Sequence, residues 1–129
     1  MTPRWKRLLR PGDRLRREAD DQAARLGRRT PGTEHVLLAL LAAREIGPEG
    51  ILDAPGDARL AALGLGYDRA RAAIADGEVA LPSDPRSVEA YLSITGPGEP
   101  VRALLEDDTR ARRLAEALGG GRANDGGER

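Results

Sequence analysis

Thr33, Glu34 and His35 stand in succession and are the residues of this chain best equipped for chemistry. An imidazole can take a proton, a carboxylate can orient it, and a hydroxyl can act as nucleophile. A working site also needs the base within reach of the nucleophile, a third group holding the base, and donors for a developing oxyanion. Three adjacent residues do not supply that constellation. The Pro31-Gly32 turn just before them leads into a helix start. The Thr33 hydroxyl is an N-cap, and Glu34 lies in the first turn, where the helix dipole favours negative charge. His35 enters an apolar helix as a buried, hydrogen-bonded structural residue. No catalytic residue is assigned, and the chain is expected not to be an enzyme. The carboxylate pairs Asp20-Asp21 and Asp107-Asp108 are sequence neighbours, which a helix points about 100° apart, so neither pair can share one substrate.

The remaining composition narrows the chemistry further. His35 is the only histidine and there is no cysteine. Disulfides, thiol nucleophiles, thiolate metal sites and multi-histidine metal sites are therefore excluded, and neither metal nor cofactor is expected. The 129 residues carry 21 Lys+Arg against 21 Asp+Glu, so no bulk field pulls the chain toward nucleic acid or an anionic membrane. Local charge differs. Arg4, Lys6, Arg7 and Arg10 crowd the first ten residues together with Trp5, Leu8 and Leu9. Two roles suit that arm: binding an anionic surface, or a solvated terminus whose Trp5 or Leu8 tucks onto the domain.

The elements that must position these residues are helices. Only Trp5, Tyr67 and Tyr91 are aromatic, so a core must be built from Leu, Ala, Val and Ile, a palette that favours helix over strand. The pattern predicts a helix over Arg14–Leu26, capped by Asp13 and stopped by Gly27, with Leu15, Ala19, Ala23 and Leu26 on one face. The next helix opens at Thr33, and Val36, Leu37, Leu38, Leu40 and Leu41 surround it almost completely, which marks it as the core helix. A Gly/Pro-rich interruption over Ile46–Gly56 comes next. Short helices are then expected over Asp57–Leu63, from Tyr67 or Asp68 to Ala75, over Arg86–Ile94, over Val101–Leu105 with Pro100 as an early helical residue, and over Arg110–Leu118. Leu81-Pro82-Ser83-Asp84-Pro85 is the clearest internal boundary. The runs Arg16-Arg17-Glu18 and Glu106-Asp107-Asp108 read as solvated helix faces. No secretory signal is visible, and the longest apolar run, Val36–Ala43, is far short of the ~20 residues that span a bilayer. A cytoplasmic protein with no membrane partner is expected.

Ala23-Ala24-Arg25-Leu26-Gly27, followed by Gly32-Thr33-Glu34-His35 and the leucine-rich stretch to Leu41, resembles the Clp N-terminal domain. In that family an alanine-rich helix ending in Leu-Gly precedes Gly-Thr-Glu-His and a leucine-rich helix. Leu63-Gly64 resembles the Leu-Gly that closes the family's third helix, and Tyr67–Ile74 resembles its fourth. The likeness covers roughly residues 8–77. The family has two such repeats, and a degenerate second copy is discernible. GPGEPVRALL (Gly96–Leu105) aligns without gaps on GTEHVLLALL (Gly32–Leu41), and Arg113–Gly119 echoes Arg59–Gly64. The second copy has lost Thr, Glu and His.

The resemblance implies an all-α, compact orthogonal bundle of about seven short helices in two pseudo-repeats. Its divisions are a basic arm over 1–12, a first repeat over 13–77, a linker with the degenerate repeat over 78–121, and a disordered tail over 122–129. It also implies a function: the domain is the substrate- and adaptor-binding module at the front of Clp-type AAA+ unfoldases. This chain has no Gly-x-x-x-x-Gly-Lys-Ser/Thr phosphate loop and no room for a ~200-residue ATPase module. The expectation is therefore a non-enzymatic peptide- or protein-binding module, an adaptor, recognition or decoy factor in Clp-dependent proteolysis or chaperone work. Expected partners are client proteins or peptides, phosphoarginine-bearing ones included, and Clp ATPase or protease subunits. In ClpC-like relatives the Thr-Glu at this helix start contributes to a phosphoarginine pocket, which makes Thr33 and Glu34 the candidate ligand-binding residues beside their capping role. Helix-start N–H groups suit a phosphate and a carboxylate suits a guanidinium. His35, Leu37, Leu38, Leu40 and Leu41 are structural in this reading. The alternative, from another class, is a basic-armed helical nucleic-acid-binding protein resting on Arg4–Arg17.

Overall fold

The computed structural model of the protein describes residues 11–46 and 52–119. The arm over 1–10, residues 47–51 of the expected interruption, and the tail over 122–129 lie outside the described residues. Among those described there are seven α-helices and no strand: α1 Pro11–Arg25, α2 Thr33–Ile46, α3 Ala54–Leu63, α4 Tyr67–Ala75, α5 Val88–Leu92, α6 Glu99–Glu106 and α7 Arg110–Leu118. The all-α bundle matches the composition. Several helix starts differ from expectation, each for a local reason. The Pro11-Gly12 pair begins α1 instead of breaking the chain before it, because proline's fixed φ and missing N–H suit a first helical position. Helix α3 starts at Ala54, not Asp57, because the Asp53 carboxylate accepts the Gly56 N–H at 2.8 Å and Pro55 falls in the first turn. Helix α5 is shorter than Arg86–Ile94, delimited by the Ser87 hydroxyl, which accepts the Ala90 N–H at 3.2 Å, and by Ser93.

Helix α2 is the centre of the molecule. Val36, Leu37, Leu38, Ala39, Leu40 and Leu41 are each no more than 3 % exposed. A helix apolar all round must be covered on most sides, and α1, α4 and α7 all pack against it. Leu15, Ala19 and Ala23 form the inner face of α1. Gln22 is buried beside them, and its Oε1 accepts the Tyr67 hydroxyl of α4 at 2.7 Å. Burying each large aliphatic side chain contributes about 1.5–3 kcal/mol, so this single helix carries a large share of the folding energy.

The second half repeats the packing order of the first. Helix α1 packs on α2 as α5 packs on α6, and α2 meets α7 as α3 meets α6. Val101 and Leu104 of α6 are buried and Leu105 is half-buried. Helix α6 reaches the first half through α3, whereas α7 reaches it through α2 and α4. The α3–α6 approach is close enough to require glycine. Gly98, the N-cap of α6, has φ 69°, and a Cβ there would lie 2.9 Å from the Pro55 Cβ.

Candidate functional site

Thr33, Glu34 and His35 are all completely buried. Gly32, not Thr33, is the N-cap of α2: its carbonyl accepts the first helical hydrogen bonds, from His35 N–H at 3.0 Å and Val36 N–H at 3.3 Å. Thr33 is thus the first helical residue, and its hydroxyl does not cap its own helix. That hydroxyl donates to Asp84 Oδ1 at 2.6 Å and accepts the Ala111 N–H of α7 at 2.9 Å. The Thr33 N–H donates to Asp84 Oδ2 at 3.0 Å, and the Arg110 N–H donates to Asp84 Oδ1 at 2.9 Å. One carboxylate therefore accepts from the starts of two helices, α2 and α7, at the end of each where unpaired N–H groups and the dipole favour negative charge. Thr109 completes the start of α7. Its hydroxyl accepts the Arg112 N–H at 2.9 Å and donates to the Leu104 carbonyl at 2.5 Å.

The Glu34 carboxylate meets the Arg110 guanidinium, with Nε to Oε1 at 2.9 Å and Nη2 to Oε2 at 2.8 Å. The first is a directed hydrogen bond. The second is off the line of its N–H and acts through charge alone, leaving Oε2 without a hydrogen bond. Nη1 of Arg110 donates to the carbonyls of Leu81 at 3.3 Å and Pro82 at 3.1 Å, which fixes the boundary segment over the pair. Gly32 leaves room for this arrangement, since a Cβ there would run into the Glu34 carboxylate and the Arg110 side chain.

His35 has a backbone duty. Its Nδ1 accepts the Gly32 N–H at 2.9 Å, the return bond from the third helical residue to the N-cap that Glu or Gln makes in a capping box. That bond assigns the neutral ring's proton to Nε2, which has no partner. Burial lowers the pKa of His35 below its ordinary value; Glu34 opposes the shift, and Arg28 and Arg110 add to it.

A second carboxylate repeats the device at the other junction. Asp53 Oδ1 accepts the Gly56 N–H of α3 and Oδ2 accepts the Gly98 N–H at the start of α6, each at 2.8 Å. Asp84 and Asp53 thus join the two helix pairs that the packing order makes equivalent. Asp107, expected on a solvated face, accepts the hydroxyl of buried Tyr91 at 2.8 Å, and burial pushes that phenol up to about 12. Residue type alone does not single out Asp84, Asp53 or Arg110. Only the Ser83-Asp84-Pro85 sequence gives a signal, and it reads as a turn.

The open feature of the surface lies elsewhere. A groove of about 980 Å³ runs between α1, α2, the start of α3 and the α5–α6 segment. Its walls are apolar, formed by Leu15, Leu40, Leu52, Leu92, Ile94 and Val101. The charged groups lining it are Asp13, Asp53, Glu89 and Arg16, three carboxylates to one guanidinium. Arg16 itself pairs with Asp20 and Glu89. Neither this groove nor a smaller recess of about 250 Å³ beside Asp84 is lined by Thr33 or Glu34. Among the described residues no His/Cys/Asp/Glu group could hold a metal ion, and no described helix is long and apolar enough to cross a membrane. Comparison with family models, curated proteins and solved structures returned no match.

Proposed function

We propose that the chain is a non-enzymatic peptide- and protein-binding module of the Clp N-terminal domain type, a cytoplasmic adaptor, substrate-recognition or decoy factor in Clp-dependent proteolysis. The observation that carries this reading is the division of labour in the fold. The acid–base residues of the Gly-Thr-Glu-His motif are spent on hydrogen bonds and an ion pair within the chain, while an apolar groove stays open to solvent. A base that is buried and already bonded has no substrate to act on, whereas a recessed apolar surface with a charged rim suits a peptide. The repeated packing order and the paired Asp84 and Asp53 junctions support the two-repeat architecture on which the family reading rests.

The rim sets the ligand chemistry. Three carboxylates to one guanidinium favour a peptide with apolar anchors flanked by Arg or Lys. Glu34, the residue that the family resemblance offers to a ligand guanidinium, already holds the chain's own Arg110. The groove is therefore a better peptide seat than the Thr33–Glu34 corner. Fluorescence anisotropy with labelled peptides tests this. Saturable binding of an apolar peptide flanked by basic residues is expected, lost on Ile94→Arg and absent for an acid-flanked counterpart. Equal binding of both peptides, or binding indifferent to Ile94→Arg, refutes the groove as the seat. Co-purification with a Clp-type ATPase subunit tests the adaptor role separately.

A further inference from the structure

We infer that the chain's own first ten residues occupy this groove in cis, as an internal stand-in for the client peptide; the inference rests on the groove being a peptide seat. Three observations support it. The first is connectivity: the described structure starts at Pro11, and Asp13 and Leu15, two to four residues later, already line the groove. At roughly 3.3–3.6 Å per residue, the six residues between Trp5 and Pro11 extend about 20 Å, enough for Trp5 to lie along the groove. The second is charge. Residues 1–10 carry Arg4, Lys6, Arg7 and Arg10 and no Asp or Glu, opposite a rim with three carboxylates and one guanidinium. The third is the apolar content. Trp5, Leu8 and Leu9 interleave with those charges, so one segment supplies an aromatic anchor, aliphatic anchors and basic flanks.

The consequence is regulatory. A tethered ligand competes with any free peptide at an effective concentration that can reach the millimolar range for a short linker. Only clients that bind well, or a partner that draws the arm away, gain access to the groove.

Trp5 is the only tryptophan, so its fluorescence reports on the arm alone. In the full chain the inference expects blue-shifted emission and an acrylamide quenching constant several-fold below that of the urea-unfolded chain, both independent of protein concentration. Two variants should return emission and quenching to the unfolded values while the helical circular dichroism stays intact. They are Ile94→Arg on the groove wall and the charge-reversed arm Arg4→Glu/Lys6→Glu/Arg7→Glu. Solvent-like quenching of Trp5 in the unaltered chain overturns the inference. Protection that falls on dilution also overturns it, since the occupant is then a second copy, and so does protection that survives both variants. These outcomes are separable from the peptide-binding test. A solvated Trp5 with saturable peptide binding sinks only the cis occupant, and a shielded Trp5 with no peptide binding in the arm-reversed chain sinks only the client function.

Discussion

Replacing Asp84 by alanine isolates the junction between α2 and α7. The substitution removes the acceptor of three donors: the Thr33 N–H, the Thr33 hydroxyl and the Arg110 N–H. Thr33 is completely buried, so water does not reach its N–H in the folded chain. A donor left unpaired in that way costs about 1–3 kcal/mol. The hydroxyl can rotate toward another acceptor, and Asp84 is only half-buried, so water entering the vacated space offsets part of the loss at Arg110. Removing negative charge from two helix starts adds about 0.3–1 kcal/mol for each. The sum is about 2–4 kcal/mol, a large fraction of the ~5–15 kcal/mol that holds a domain together. Urea unfolding followed by circular dichroism measures it, with an unchanged m value showing that the transition itself is unaltered. Asp84→Asn should lose less, because one oxygen can still serve the Thr33 hydroxyl and Arg110 while its amide faces the Thr33 N–H donor to donor. A loss below about 0.5 kcal/mol for Asp84→Ala, the range of an ordinary surface substitution, refutes the reading of Asp84 as the clasp of two helices.

Arg110→Ala strands the Glu34 carboxylate in the core and should cost about 3–5 kcal/mol, whereas the double variant Glu34→Leu/Arg110→Leu should recover most of that in the same unfolding assay. His35 has a pKa below its ordinary 6.5, so the native chain binds fewer protons than the unfolded one. Stability is therefore full above about pH 6.5 and falls as the pH drops below it, by at most ~1.4 kcal/mol per unit, until the lowered native value is passed. His35→Gln, which keeps an acceptor for the Gly32 N–H, should flatten that slope in unfolding curves between about pH 5.5 and 7. Gly98→Ala combines a left-handed φ with a Cβ pressed on Pro55 and should cost about 2–4 kcal/mol; Gly66→Ala, with nothing within 4 Å, is the near-neutral control. Calorimetric titration with free phosphoarginine should give no saturable heat, because the guanidinium partner of Glu34 is already Arg110; a single saturable site abolished by Glu34→Ala would refute this.

How much of the fold and site is legible in the sequence depends on the range of the interaction. Helix α2 can be read directly, because Val36 to Leu41 leaves no polar face for solvent and only a central position can bury such a surface. Helices α4 and α7 are bounded correctly by Gly66 with Gly77, and by Thr109 with Gly119, since those signals act within a few residues of the helix they end. The Pro11-Gly12 and Asp53–Gly56 starts escape the sequence reading because proline serves equally as a breaker and as a first-turn residue, and packing decides between them. At the site everything that escapes is long-range. Glu34 is legible as a first-turn acid, but nothing near it announces Arg110, 76 positions away. Asp84 between a serine and a proline carries the signature of a turn, and it acts as one locally. Its larger role exists because the fold delivers two helix starts, 26 and 51 positions away, to the same carboxylate. Asp53 does the same for α3 and α6. A carboxylate in a loop becomes structural when helix N-termini converge on it, so in a two-repeat helical chain the acids just outside the helices are the residues whose roles composition and spacing leave open.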